Sequence, residues 1–320
     1  MNYIIDMKPK KGNGICTISC IYNVMSFYGL TIEEYEAYIL VNGFQTVFNN
    51  GYVAINTLEG IDYELLNKRF DTIWLNNKNN QLKVIIDSIK SGQPVIILMD
   101  SSALSFDSRH KKEYDFIRSF IIYGVDLDKN VFLVYDTFHL NEELEIEVIN
   151  FFVPIPIIID RAKELFIISK SIKAMQFDYK KILKDNMKHY LNKENIYGEH
   201  RFFGINEVEK HISYMEDILF KNNVVKKLEA CYYATNTIIY GTFIPMITYL
   251  LDFIKNSELQ DKETIIIQLK ELKTKWNILS NKSMKLTVSK RENQSLQFIN
   301  RYKETFKNTI DYLHKIVKHL

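Results

Sequence analysis

The chain has 320 residues, of which 47% are hydrophobic and 25% are charged, and its formal net charge is +2. These proportions are ordinary for a soluble globular protein, and a charge so close to neutral predicts no particular partner. Five prolines and eleven glycines are too few for long flexible linkers. A chain of this length exceeds the usual size of one domain, so two domains are expected.

The cysteine count and the apolar segments indicate the cellular compartment in which the protein is expected. Cys16, Cys20 and Cys231 are too few for a disulfide framework, which favours a reducing environment. The N-terminus lacks the apolar core of a signal peptide. The apolar run 232–254 contains Pro245 and several polar residues, so it predicts a buried helix pair or a kinked helix rather than a membrane span. We therefore expect a cytoplasmic protein with no membrane partner.

The spacing of apolar residues along the chain changes near residue 170. Between residues 95 and 170, short apolar runs typical of strands follow one another: PVIILMD, FIRSFIIYGVD, VFLVYDTF, LEIEVINFFV and ELFIISK. Beyond residue 171, apolar residues recur at intervals of three and four with few helix breakers, which predicts helices. The predicted class is α+β, with a mixed domain over residues 1–170 followed by an all-α domain over residues 171–320.

The stretch GNGICTISCIYNVMSFYGL, residues 12–30, predicts a helix with both ends marked. Asn13 is typical of an N-cap, and Gly29 is typical of a left-handed stop. Cys16 then falls in the first turn, where unpaired N–H groups and the helix dipole favour a thiolate. The simpler interpretation is a small apolar core residue. Cys20 shares the helical face of Cys16, but no second pair of ligands follows, so no metal site is predicted.

Several motifs occur in a fixed order along the chain. Cys16 opens a helix, with Asn23 seven residues later and FYGL at its end, and GQPVIILMD and FIIYGVD form later strands. VFLVYDTF then carries Asp136, and RFFGINEVEKHISYMEDI occupies residues 201–218. Together these motifs resemble the papain-like acyltransferases of the butirosin-biosynthesis H type, distant relatives of bacteriocin-processing cysteine peptidases. The resemblance implies a papain-like cysteine-peptidase fold in the N-terminal domain and helices in the C-terminal domain.

The resemblance also implies a chemistry. Cys16 would attack a thioester, for example a phosphopantetheine thioester on an acyl carrier protein, and the acyl group would pass to an amine. Asp136 would be the third member of a Cys–His–Asp triad. No bound cofactor is implied, and the partner would be a carrier protein or a small acyl or amine substrate. No phosphate loop, dinucleotide fingerprint or nucleic-acid module is found.

One position departs from the family pattern. The catalytic His of the family precedes the Gly of the Tyr-Gly strand by six residues, and Arg118 stands at that position in this chain. A guanidinium is permanently protonated and cannot act as a general base, although its charge favours a nearby thiolate. His110 or His139 could substitute as the base, but each is more simply a solvated loop residue. Asn13 could donate to an oxyanion, but an N-cap role is simpler.

Two alternatives to the acyltransferase therefore remain. Arg118 could form a cross-strand ion pair with Asp136, and the protein would then be a catalytically degenerate relative that binds a carrier protein or a ligand. A cysteine peptidase is the further alternative, and it is disfavoured because the amine of an amide must be protonated to leave.

The helical half offers weaker candidates. Glu199, His200 and Arg201 could line a cleft, and Lys180, Lys181, Lys184 and Lys188 could contact an acidic partner, although a solvated face is simpler. Cys231 and Trp276 are predicted to be core residues. The other histidines are expected at the surface or facing a partner: His189, His200, His211, His314 and His319.

Overall fold

The computed structural model describes residues 2–44, 46–49, 52–55, 70–75, 80–104, 117–141, 143, 145–169, 177–192, 204–220, 224–286 and 292–320. The chain divides into two compact units. The first unit comprises Met1–Ala37 and Asp62–Phe177, and the second comprises Tyr38–Ile61 and Asp178–Leu320.

The strands of the described residues form two antiparallel sheets. They are β1 Asn2–Ile4, β2 Thr46–Asn49, β3 Tyr52–Ile55, β4 Thr72–Leu75, β5 Val95–Asp100, β6 Ile117–Asp126, β7 Val131–Leu140, β8 Ile146–Pro154 and β9 Ala162–Ile168. Seven of them build the sheet of the first unit, in the order β4-β9-β5-β6-β7-β8, with β1 paired to β6. The hairpin of β2 and β3 belongs to the second unit.

The helices of the described residues flank the sheet in the first unit and dominate the second unit. They are α1 Cys16–Phe27, α2 Glu34–Leu40, α3 Gln81–Lys90, α4 Ile155–Arg161, α5 Tyr179–Leu191, α6 Ile205–Phe220, α7 Val224–Asn236, α8 Phe243–Asn256, α9 Lys262–Leu286 and α10 Glu292–His319. The mixed helices and antiparallel strands agree with the predicted α+β class.

The five apolar runs that predicted strands correspond to β5, β6, β7, β8 and β9. The turn between β6 and β7 is fixed by its own side chain, because Asp126 Oδ1 accepts hydrogen bonds from the backbone N–H groups of Asp128 and Lys129, both at 3.1 Å. Asn130 closes the turn with a φ of 56°, in the left-handed region that Asn tolerates. Local turn chemistry therefore sets the register of this hairpin.

The division of the chain differs from the predicted boundary in one respect. The elements described within residues 178–320 are all helices, but the second unit also includes residues 38–61 with β2 and β3, so it is not all-α. The hairpin is held by side chains of the helical segment. Val53 N–H donates to Thr237 Oγ1 at 2.9 Å, and Phe48 N–H donates to Glu207 Oε2 at 2.9 Å.

The apolar run 232–254 forms two helices, as predicted. A π-helical turn, Thr237–Gly241, separates α7 from α8. Among the described residues, the continuous helical stretch Lys226–Asn256 has the length and apolarity of a membrane-crossing helix, and 76% of its most apolar window is buried within the structure. The core helix of a soluble protein passes the same test, so this stretch assigns no location.

The core of the second unit is aromatic. Trp276 is completely buried and stacks on Phe243 with ring centroids 3.7 Å apart, and its indole N–H donates to Thr309 Oγ1 at 3.1 Å. Cys231 is 1% exposed. The predictions that Trp276 and Cys231 are core residues are therefore confirmed.

Candidate active site

Cys16 is the first residue of α1. The preceding residue, Ile15, has extended backbone angles (φ −138°, ψ 125°) and supplies no side-chain cap. The first N–H groups of a helix have no intrahelical acceptor, so α1 presents donors and the positive end of its dipole at Cys16. Cys16 is partly exposed. A substrate can therefore reach the thiol beside these unpaired donors.

The predicted N-cap role of Asn13 is wrong. Helix α1 begins three residues after Asn13, because Asn13 and Gly14 lie in a bend and Ile15 is extended. The backbone N–H of Asn13 donates instead to Glu34 Oε2 at 2.8 Å. The predicted stop at Gly29 is confirmed: its φ is +87°, and its N–H donates to Ser26 O.

Helix α1 is buried on nearly all sides and meets the sheet through hydroxyl groups. Thr17 Oγ1 and Ser119 Oγ share a hydrogen bond of 2.6 Å, which joins the first turn of α1 to β6. Ser19 Oγ donates to Thr137 Oγ1 on β7 at 2.8 Å. Thr17 and Ser119 follow Cys16 and Arg118 directly in the sequence. The docking of α1 therefore brings the start of the helix to the strand that carries Arg118.

Cys20 lies one turn after Cys16 and is completely buried. Its Sγ is 3.8 Å from Thr137 Oγ1. Burial raises the pKa of the Cys20 thiol well above its ordinary value, and the negative charges of Cys16 and Asp136 raise it further, whereas Thr137 and Arg118 act in the opposite direction. Cys20 is therefore a neutral thiol near neutral pH. Cys16, Asp136 and Arg118 all lie close enough to influence its ionisation.

Arg118 on β6 and Asp136 on β7 form a buried ion pair. Arg118 Nη2 donates to Asp136 Oδ2 at 2.7 Å and to Phe138 O at 2.7 Å. The Asp136 side chain is fully buried, and that of Arg118 is 13% exposed. The other carboxylate oxygen, Asp136 Oδ1, accepts the backbone N–H of Phe138 at 2.9 Å. The predicted cross-strand pair is thus present, and both oxygens of Asp136 accept hydrogen bonds.

His139 is not a solvated loop residue, and that expectation is wrong. It lies in β7 and is 4% exposed. The pairing of β7 with β8 shifts between Asp136, opposite Ile149, and His139, opposite Glu147. This β-bulge inserts one extra residue and so turns His139 to the face of Asp136. His139 Nδ1 lies 3.8 Å from Asp136 Oδ2, and its Nε2 lies 4.0 Å from Glu147 Oε1.

Four other predicted candidates lie outside the described residues: His110, Glu199, His200 and Arg201. His211 was expected at the surface, but it is completely buried. His314 and His319 are exposed, as expected. Within the described part of the chain, no group of three or more His, Cys, Asp or Glu side chains is arranged to hold a metal ion.

Sequence reasoning missed two residues that shape the start of α1. Glu34 is 4% exposed and holds the backbone of Asn13. Asn23 is 3% exposed, its Oδ1 accepts the N–H of Lys10 at 2.6 Å, and its Nδ2 donates to Lys10 O at 3.0 Å. Asn23 was noticed only as part of a motif. An acidic residue five positions after a glycine stop carries no pattern that reveals its partner.

Comparison with protein-family models finds no model that matches the chain. Comparison with curated proteins finds no match either. Among solved structures, the chain is similar to the crystal structure of a "putative C39-like peptidase" from Bacillus anthracis, with 15% identity and a TM-score of 0.38. The similarity covers 54% of this chain and 100% of the other. This likeness is too distant to assign an activity, which must be argued from the residues of this chain.

Proposed function

We propose that the first unit is a thiol-dependent acyl-transfer module with a papain-like arrangement of nucleophile and sheet. The observation that carries the proposal is the position of Cys16, partly exposed at the first residue of a helix whose first turn is bonded to β6. Such a position stabilises a thiolate without a dedicated base. The guanidinium of Arg118 lies close enough to Cys20, one turn after Cys16 in α1, to lower the pKa of its thiol, and so it adds positive charge in the same region.

The proposed reaction depends on which groups can donate or accept a proton. The Cys16 thiolate attacks the carbonyl carbon of a thioester, and the donor C–S bond breaks to release a thiolate that takes a proton from water. An amine then attacks the acyl-cysteine, the new C–S bond breaks, and the amine proton passes to solvent as the Cys16 thiolate is restored. Neither step needs a protein acid, because a thiolate is a good leaving group. The donor class is an acyl thioester, free or on the phosphopantetheine arm of a carrier protein.

Peptide hydrolysis fits the same residues less well. An amide nitrogen must gain a proton before it leaves, and general acid catalysis supplies that proton. Arg118 stands at the position of the family histidine and cannot exchange a proton at neutral pH. His139 Nε2 lies 4.0 Å from Glu147 Oε1, so this ring nitrogen is directed at a carboxylate. We therefore favour acyl transfer over peptidase activity.

A second candidate is a catalytically degenerate relative that binds an acyl ligand or a carrier protein. The buried pair of Arg118 and Asp136 favours it, because both oxygens of Asp136 already accept hydrogen bonds. A carboxylate engaged in this way orients a guanidinium, which cannot act as a general base.

The deciding experiment measures how fast each cysteine reacts with iodoacetamide between pH 5 and pH 9, with mass spectrometry to locate the adduct. We expect Cys16 to react at pH 6–7 and to become acylated by a short-chain acyl-N-acetylcysteamine thioester. Cys20 and Cys231 serve as internal controls, because burial raises the pKa of Cys20 well above its ordinary value and that of Cys231 to about 11. The Cys16→Ala variant should lose both adducts.

A Cys16 thiol that follows the profile of an ordinary cysteine, with a pKa of about 8.5, and that forms no acyl adduct would overturn the enzyme proposal. The binding alternative would then gain support if the thioester probe bound without reacting.

A further inference from the structure

The four residues 10–13, which we name the pre-helix segment, are held at three points before α1 begins. Asn23, two turns into α1, pairs with both backbone groups of Lys10, accepting its N–H at 2.6 Å and donating to its carbonyl at 3.0 Å. A side-chain amide that accepts and donates to one residue mimics the pairing of neighbouring strands, so the segment is fixed in distance and in orientation.

The middle and the end of the pre-helix segment have their own contacts. Gly12 N–H donates to Thr137 O at 2.8 Å. A Cβ atom at Gly12 would lie 2.5 Å from Ser19 Oγ, so only glycine fits between α1 and β7. The Asn13 N–H donates to Glu34 Oε2 at 2.8 Å. This carboxylate belongs to the first residue of α2 and is nearly inaccessible to solvent.

These contacts act on Cys16 because only Gly14 and Ile15 separate it from Asn13. Ile15 is extended and Cys16 is the first helical residue, so the anchored Asn13 lies three residues before the helix start. A segment released from Glu34 would be free to add or lose a residue at the helix start. Cys16 would then no longer lie beside the first unpaired N–H groups.

We propose that Glu34 and Asn23 are positioning residues for Cys16, which hold the pre-helix segment so that the thiol opens α1 beside its unpaired N–H groups. The proposal rests on the proposed function for its consequence in catalysis. Glu34 plays this role as a hydrogen-bond acceptor and not through its charge, since a negative charge near Cys16 opposes the thiolate. Glu34→Gln keeps an acceptor oxygen, whereas Glu34→Ala removes it.

The test combines two readouts on the full chain. Hydrogen exchange of the Asn13 and Lys10 amides reports on the segment itself, and the pH profile of iodoacetamide labelling reports on Cys16. Glu34→Ala should accelerate exchange at Asn13, and Asn23→Ala should accelerate exchange at Lys10, each by roughly tenfold or more. Both variants should slow the labelling of Cys16 at pH 6.5 by about tenfold, because the thiol would lose the unpaired N–H groups that assist its reaction.

Matched variants separate positioning from general damage to the fold. Glu34→Gln should keep the labelling rate within about twofold of the wild type or raise it, because the acceptor remains and the charge is gone. Glu36→Ala is the control on the same helix, since Glu36 Oε2 accepts the N–H of Glu33 and has no contact with the pre-helix segment among the hydrogen bonds described. It should leave both readouts unchanged.

The outcomes distinguish the two proposals. An activated thiol in the wild type that stays equally reactive in Glu34→Ala and Asn23→Ala, despite faster amide exchange, overturns the positioning role alone. The positioning role is also overturned if Glu34→Gln loses reactivity as fully as Glu34→Ala, because the negative charge of Glu34, and not its acceptor oxygen, would then be responsible. An ordinary thiol profile in the wild type overturns the proposed function, whatever the variants do.

Discussion

At the scale of single residues, the permanent charge of Arg118 limits the chemistry of the site. Arg118 donates to a carboxylate and to a carbonyl at once, with both donor–acceptor distances at 2.7 Å. Its guanidinium also lies 5.5 Å from the ring centroid of Phe120. Such contacts hold a cation in place but give it no route to accept a proton. Under the proposed function, Cys16 therefore acts on an activated donor such as a thioester, which needs no protein acid.

The first prediction at this scale concerns the buried pair. Arg118→Met should lower the free energy of unfolding of the first unit by about 3–5 kcal/mol, because Asp136 would remain buried without a compensating charge. Arg118→Met combined with Asp136→Asn should recover much of that loss. Urea denaturation checks this in a Trp276→Phe background, where Trp74 is the remaining tryptophan and lies in the first unit.

The control is an exposed pair of the same unit. Lys163 Nζ lies 2.8 Å from Asp100 Oδ1, but both side chains are substantially exposed. Lys163→Met should therefore change the free energy of unfolding by about 1 kcal/mol or less. Equal losses for Arg118→Met and Lys163→Met would show that the buried pair contributes nothing beyond a surface contact.

At the scale of elements, the docking of α1 onto the sheet includes buried hydrogen bonds between hydroxyl groups. The shared hydrogen bond of Thr17 and Ser119 is buried on both sides. Buried hydroxyl groups are expensive to leave without a partner, so such contacts fix one register of a helix against a strand. The position of Cys16 in α1 relative to β6 depends on this register.

A second prediction follows for this contact. Thr17→Val keeps the shape of the side chain but leaves the Ser119 hydroxyl buried without Thr17, and it should lower the free energy of unfolding by about 1–3 kcal/mol. The double variant with Ser119→Ala removes both hydroxyls and should be closer to the wild type. Thr274→Val on the exposed side of α9 is the matched control and should have little effect. A double variant that is less stable than Thr17→Val would contradict this account.

The sequence predicted elements better than it predicted contacts between them. Runs of apolar residues located β5 to β9, because a strand buried in a sheet needs apolar side chains along its length. The start of α1 was misplaced, since Asn13 is a good cap by its own chemistry but its N–H is taken by Glu34, 21 residues later. The burial of His139 depends on a bulge that only the pairing with β8 creates. Long-range partners of this kind leave no periodic pattern.

The predictions for the candidate site divide in the same way between local features and long-range contacts. Local sequence was enough to predict Cys16 in the first turn of a helix and an ion pair between neighbouring strands, because both depend on spacing within one element or one hairpin. The excursion of residues 38–61 into the second unit could not be predicted, since β2 and β3 are held by Thr237 and Glu207, far along the chain.

At the scale of the whole molecule, both units bury tyrosines. Tyr38, Tyr190 and Tyr302 are each 2% exposed or less, and burial raises their pKa values above the ordinary range, with Tyr190 acting on the other two. In the first unit, burial raises the pKa values of Tyr28 and Tyr123 to about 12. The unfolded chain has no such burial, so its tyrosines titrate near pH 10.

This difference predicts a loss of stability in alkali. A group whose pKa is higher in the folded protein contributes stability that is complete below its unfolded pKa and is lost as the pH rises toward its folded pKa. The free energy of unfolding should therefore fall from about pH 10 upward, by at most about 1.4 kcal/mol per pH unit for each tyrosine that stays protonated only when folded. Phenolate absorbance of the native protein at pH 11 should lie below that of the denatured chain, and the missing part should appear only as the protein unfolds. The Tyr302→Phe variant keeps the ring and removes one such group, so its stability should decline less steeply above pH 10. Native and denatured protein that titrate together, or a variant with an unchanged slope, would mean that these phenols reach water in the folded protein.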